Sequence, residues 1–85
     1  MKIFFAKKFR KNYNRLDIRI REQCDERLRL FASEPFHPLL NNHSVEKRFP
    51  DCRSINVTGD YRAIFKQQNG VVVFVNIGTH SELYS

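Results

Sequence analysis

An 85-residue chain of 10.2 kDa has room for one domain, so residues 1–85 are read as a single unit. Hydrophobic residues at 41% and charged residues at 28% are a globular mix, and fifteen Lys+Arg against nine Asp+Glu leave +6 at pH 7, a balance suited to a polyanion or an acidic protein partner. No apolar run exceeds Val71–Val75, the N-terminus offers only Ile3–Ala6 before charge returns, and Cys24 and Cys52 lack C-x-x-C spacing, which argues against a membrane span, a secretory signal and a disulfide or paired-cysteine metal scaffold.

Lys2–Phe5 read as a short strand. Phe5, Phe9 and Tyr13 then recur at i, i+4, i+8, the stripe of a short helix whose other positions hold Lys7, Lys8, Arg10 and Lys11. Asn14 with Asp17 three residues on resembles a capping box and predicts a second helix from there. Leu16, Ile20, Cys24, Leu28 and Phe31 span about 120° of arc at 100° per residue, one apolar face. Asp17/Arg21 and Asp25/Arg29 are acid-before-base pairs for the solvated side. Pro35 and Pro38 end the helical part, and residues 35–51 show no period and read as a loop.

From Arg53 the period becomes two. Ile55 and Val57 alternate with Ser54, Asn56 and Thr58; Tyr61, Ala63 and Phe65 alternate with Arg62, Ile64 and Lys66. A three-residue loop, Thr58-Gly59-Asp60, pairs Asn56 with Arg62 and separates the sides: Ser54, Asn56 and Arg62 on a polar face, Ile55, Val57, Tyr61, Ala63 and Phe65 on a core face. Asn69-Gly70 marks the next turn, Val71–Ile77 reads as a strand covered on both sides, and Thr79–Ser85 as a short tail.

The polar residues that stand out are His43, Arg53, Ser54, Asn56, Asp60, Arg62, His80 and Tyr84. They fit the demands of metal-free RNA cleavage. A ribose 2′-OH must lose a proton, the 5′-oxygen must gain one, and the phosphate needs positive charge at its equatorial oxygens. Histidine titrates near neutrality, arginine meets phosphate with two parallel N–H groups, and an aromatic side chain can stack on a base. The cluster Lys7, Lys8, Arg10, Lys11 and Arg15 suits contact with RNA backbone. Three scattered histidines and no H-E-x-x-H give no metal site, and no cofactor motif is present.

Asn41-Asn42-His43-Ser44-Val45, the run Arg53 to Phe65 with its Gly59-Asp60-Tyr61-Arg62, and the ending Gly78-Thr79-His80-Ser81-Glu82-Leu83-Tyr84 together resemble the RelE/ParE toxin superfamily, with the YafQ-type and related RelE-type toxins as the most similar branch. The resemblance covers nearly the whole chain. It implies an α+β domain, a short N-terminal strand and two helices packed on an antiparallel-rich sheet of about four strands. It implies the toxin of a bacterial type II toxin–antitoxin pair, cytoplasmic, acting as a ribosome-dependent, metal-independent mRNA endoribonuclease, with a cognate antitoxin, the ribosome and mRNA as partners and a toxin–antitoxin hetero-oligomer as the resting state. By position it implies Asp60 or His43 as base, His80 as acid, Arg62 on the phosphate and Tyr84 orienting a base; Arg53, Ser54 and Asn56, outside that carry-over, are read as RNA contacts. Where the YafQ branch carries an Asp and a His on the strand before the hairpin, this chain has Ser54 and Asn56. Two other functions share this pattern: a ParE-like inhibitor of DNA gyrase, for which the cluster of titratable residues has no use, and a non-catalytic RNA- or ribosome-binding module.

Overall fold

The computed structural model describes all of residues 1–85. In chain order it has β1 (Lys2–Phe5), α1 (Lys7–Asn14), α2 (Ile18–Ser33), a 3₁₀ turn (Pro38–Leu40), β2 (His43–Ser44), β3 (Cys52–Asn56), β4 (Tyr61–Gln68), β5 (Val71–Thr79) and α3 (His80–Tyr84). The strands form one sheet in the order β1-β5-β4-β3-β2. β1 lies parallel to β5 at one edge, and every other neighbouring pair is antiparallel.

Helices α1 and α2 cover one face. Phe9 lies on Phe5, Tyr13 and Phe74 with ring centroids 5.1, 6.1 and 5.8 Å away, so the i, i+4, i+8 stripe does pack on the sheet. Phe31 from α2 meets Phe65 and Phe74 edge-on at 4.9 and 5.4 Å. Phe9, Phe31, Phe65 and Phe74 build an eleven-residue core with Cys24, Leu40, Ile55, Val57, Ala63, Val72 and Ile77. Each buried large side chain there contributes roughly 1.5–3 kcal/mol. At the rim, the Tyr13 hydroxyl donates to Asp25 Oδ1 at 2.6 Å, and that bond, aided by burial, pushes the phenol up to about 12. Burial likewise pushes the Cys24 thiol up to about 12 and the Cys52 thiol upward; both cysteines are free.

The hairpin register is the one the alternation demands. Asn56 pairs with Arg62, and Val57 N–H donates to Tyr61 O at 2.9 Å. The Asn69-Gly70 turn has positive φ at both residues, 53° and 77°, the combination that lets a two-residue loop follow the strand twist. Within β5 a bulge falls at Val75: Ile64 pairs with Asn76 and Phe65 with Phe74. The extra residue lets Phe74 and Ile77, three apart, both face the helices.

Three local expectations change. Asn14 does not cap α2; it is the last residue of α1, and Asp17 is the cap, its carboxylate accepting from Arg19 N–H at 2.9 Å. The loop 35–51 contains the 3₁₀ turn and a fifth strand, the two-residue β2. A strand of that length has no period to detect, so the sheet is five strands rather than about four. The residues after Thr79 are a helix, not a tail. Thr79 Oγ1 accepts from Glu82 N–H at 3.1 Å while Glu82 Oε1 accepts from Thr79 N–H at 2.8 Å, a reciprocal capping box.

Candidate active site

Alternation along β3 and β4 turns Cys52, Ser54, Asn56, Arg62 and Ile64 away from the two long helices. His43, paired directly with Ser54, projects to this same second face. The face is not simply polar. Val45, Cys52, Ile64 and Leu83 form a small separate core on it, with Phe49, Val75 and Tyr84 against its flank. Leu83 belongs to α3, so the last helix docks here and brings His80 and Tyr84 with it.

At the hairpin end the pieces meet. Asn56 stands beside Arg62 and Arg62 beside Gly78 across three adjacent strands. The His80 N–H donates to the Asp60 main-chain oxygen at 3.1 Å, joining the start of α3 to the hairpin loop. The His80 and Tyr84 rings stack, centroids 4.7 Å apart and planes 26° from parallel, one helical turn apart. Thr58 shapes the loop: its hydroxyl accepts from the N–H groups of Asp60 (3.2 Å) and Tyr61 (3.0 Å). The Arg62 guanidinium folds back on that loop, Nη1 donating to the carbonyls of Thr58, Gly59 and Tyr61 at 3.0, 3.1 and 3.2 Å. One nitrogen is thereby anchored, and Nε and Nη2 are left to meet a ligand. Asp60 and His80 are both exposed.

The remaining candidates divide. His43 is exposed on the edge strand, its Nδ1 2.7 Å from the Asn41 carbonyl. A carbonyl oxygen only accepts, so Nδ1 is the donor in that contact. It stands on the far side of β3 from Arg62. Ser54 is only 1% exposed, and its hydroxyl has no hydrogen-bond partner; Asn56 Oδ1 is likewise buried without one. Arg53 pairs with the core residue Phe65 and so projects to the helical side, where it donates to Asn42 Oδ1 at 2.7 Å and lies 5.5 Å from the Phe36 ring. It holds the 36–42 segment rather than joining the hairpin group. His37 caps the 3₁₀ turn, its Nδ1 accepting from Leu39 N–H at 3.1 Å.

The basic residues of α1 lie on the helical side and are all exposed, Lys7, Lys8, Arg10, Lys11 and, at its exit, Arg15. Lys8 and Arg15 reach round the sheet end. They line a polar cavity of about 300 Å³ with Asn12, Tyr61, Gly78 and Glu82, contiguous with the start of α3. Its floor is fixed by Asn12 donating to Asn76 Oδ1 at 2.8 Å. Arg10 instead borders an apolar cavity of about 310 Å³ between α1 and α2. No group of three or more His, Cys, Asp or Glu side chains is placed to hold a metal ion.

Sequence reasoning missed Arg48, Phe49, Thr79 and Glu82. The Thr79-x-x-Glu82 spacing was a usable signal for α3. Arg48 had none, since its partner Leu83 is 35 residues away.

A five-stranded sheet with its two longer helices on one face matches the fold of RelE-like toxins. YafQ from E. coli strain BL21(DE3) superposes with a TM-score of 0.78 at 18% identity, covering 99% of this chain and 98% of that one. The YoeB/ParE toxin from Agrobacterium tumefaciens gives 0.76 at 19% identity over 94% of this chain and 99% of its own. The RelB–RelE antitoxin–toxin complex from Methanococcus jannaschii gives 0.75 at 17%, over 95% and 94%. No curated protein sequence matches the chain. The family model for YafQ, the bacterial toxin of a type II toxin–antitoxin system, matches residues 1–85. The chain belongs to that family of toxins. No helix is long and apolar enough to cross a membrane.

Proposed function

We propose that this toxin is an mRNA endoribonuclease that works on the ribosome without a metal ion and stops translation in the bacterial cytoplasm. The observation that carries the reading is that the His80–Asp60 main-chain bond brings the start of α3 to the hairpin loop that also anchors Arg62, with Tyr84 stacked on His80. A phosphate received by Arg62 Nε and Nη2 has Asp60 on the loop that anchors the guanidinium. The Asp60 carboxylate takes the proton from the ribose 2′-OH as the 2′-oxygen attacks phosphorus. The P–O5′ bond breaks, and protonated His80 gives its proton to the leaving 5′-oxygen. The products are a 2′,3′-cyclic phosphate and a 5′-hydroxyl. Tyr84 offers its ring to the neighbouring base.

Asp60 is preferred to His43 as base because His43 stands a strand beyond Ser54, away from Arg62. Single-turnover cleavage by Asp60→Asn is expected to fall by about 100-fold, within the usual range for a general base, with His43→Gln losing much less. The reverse order would move the base to β2. If induction relaxed plasmid DNA and left mRNA intact, the protein would instead be a gyrase inhibitor. Binding to ribosomes with no cut in mRNA would make it a non-catalytic module.

The proposed resting partner is an antitoxin protein, as in the E. coli DinJ–YafQ and M. jannaschii RelB–RelE complexes. At +6, the toxin favours an acidic segment that covers the hairpin end or displaces α3. Copurification from a two-gene transcript tests this; a toxin that leaves the column alone would contradict it.

A further inference from the structure

α3 is five residues long, far too short to hold its shape by itself. Two of the four residues proposed to do the chemistry, His80 and Tyr84, stand on it. Their positions are therefore set by whatever fixes this helix. Its start is fixed by the Thr79–Glu82 capping box and its middle by Leu83, 4% exposed in the small second core. Its end would be left with open carbonyls, as every helix C-terminus is. Here one guanidinium closes them. Arg48 Nε donates to the Leu83 carbonyl at 3.2 Å and Nη2 to the Ser85 main-chain oxygen at 3.0 Å.

The next residue completes the grip. The Phe49 ring meets Tyr84 edge-on, centroids 5.8 Å apart and planes at 79°. Tyr84 thus contacts both Phe49 and His80. Arg48 lies 5.8 Å from the Phe49 ring centre, so the two side chains support each other. The segment that carries them is itself fixed: the N–H groups of Arg48 and Phe49 both donate to the Val45 carbonyl, at 3.1 and 2.8 Å.

We infer that Arg48 and Phe49 are positioning residues: a clamp on the C-terminal turn of α3 that sets Tyr84, and through the stack His80, against the hairpin loop. The inference rests on the proposed role of His80 and Tyr84 in cleavage. Lysine is a poorer substitute, because its single nitrogen cannot reproduce bonds from two nitrogens of one planar group to two main-chain oxygens.

Amide hydrogen exchange and single-turnover mRNA cleavage on ribosomes, measured on the same variants, test it. In Arg48→Ala, exchange of the amides of residues 83–85 is expected to rise by about tenfold or more while β4 and β5 amides keep their wild-type protection. The cleavage rate at saturating ribosomes is expected to fall about tenfold, with the half-saturating ribosome concentration within about twofold of wild type, since small displacements of reacting groups are costly. Arg48→Lys and Phe49→Leu are expected to fall between, and carry the same two measurements if Arg48→Ala does not fold. Adding Arg48→Ala to His80→Ala/Tyr84→Ala is expected to cost nothing more, because the clamp acts only through those side chains. Unchanged exchange in all three clamp variants would overturn the clamp. Raised exchange with wild-type cleavage would overturn its positioning role. If His80→Ala/Tyr84→Ala itself cut mRNA as wild type, the proposed catalytic site would be wrong, while the exchange data would still decide whether Arg48 holds the helix.

Discussion

The two faces of the sheet are built for different work. The helical face buries eleven residues, among them Phe9, Phe31, Phe65 and Phe74, in one continuous core. The opposite face buries only Val45, Cys52, Ile64 and Leu83 together, and one of those four comes from a five-residue helix. Stability is concentrated on the first face and the candidate chemistry on the second. Unpartnered buried polar atoms occur on both sides, Ser54 Oγ and Asn56 Oδ1 on the strands of the second face and Arg21 Nε and Arg27 Nε on α2. A small cluster of this kind leaves the second face more open than the first, as the proposed RNA site requires.

The sharpest way to break this contrast is a pair of truncations. Phe31→Ala removes a fully buried ring from the first core and is expected to cost about 3–5 kcal/mol, enough to unfold much of the population of so small a domain. Leu83→Ala on the second face is expected to cost only about 2 kcal/mol, at the low end for its kind because α3 can detach without the rest. Urea unfolding would show a large shift for the first and a small one for the second, whereas growth inhibition would be lost in both. Equal losses of stability would mean that the two faces share one cooperative core.

The charge distribution offers a second test. Lys8 and Arg15 reach the cavity beside α3, whereas Lys7 and Lys11 do not line it. If RNA backbone passes there, Lys8→Ala and Arg15→Ala each lower the salt slope of ribosome or RNA binding by about 0.7, and Lys7→Ala and Lys11→Ala lower it less. Equal slopes for all four would assign the cluster to diffuse attraction.

A third test reads the packing of the first face by pH. Tyr13 and Cys24 have native values raised to about 12 from 10.0 and 9.0, so the folded state favours their protonated forms. The sign follows: their contribution is complete below pH 9, and is lost as pH climbs toward about 12. Urea midpoints of wild type are expected to fall across that range, and Tyr13→Phe to flatten part of the fall. The same midpoint slope in Tyr13→Phe as in wild type would remove the Tyr13–Asp25 bond from the account.

The smallest effect belongs to Ser54. Its hydroxyl is buried with no partner, a cost that alanine removes, so Ser54→Ala is expected to be neutral or to stabilise by up to about 1 kcal/mol. It should leave cleavage unchanged, because a 1% exposed side chain has little access to RNA. A marked loss of cleavage would return Ser54 to the site.

Much of this was legible from residue patterns. The stripe Phe5, Phe9, Tyr13 and the face Ile20, Cys24, Leu28, Phe31 carry the helical period, and the clean division of β3 and β4 fixed the register that puts Arg62 opposite Asn56. What was hidden has physical reasons. β2 is too short to show a period. The burial of Ser54 comes from tertiary packing on the second face, which the alternation along β3 does not carry. Arg53 alternates to the helical face and is spent on Asn42, which spacing cannot reveal. The Arg48 clamp joins a loop to a helix end with no local signature.

The central claim is that the hairpin end of the second face cuts mRNA. Primer extension on an mRNA in a translation reaction, with wild-type and His80→Ala protein at equal concentration, tests it most directly. The account predicts discrete cuts within ribosome-bound codons for wild type and a loss of about 100-fold or more for His80→Ala, the usual scale of a missing general acid. An uncut message with wild type, or equal cutting by both proteins, would contradict it.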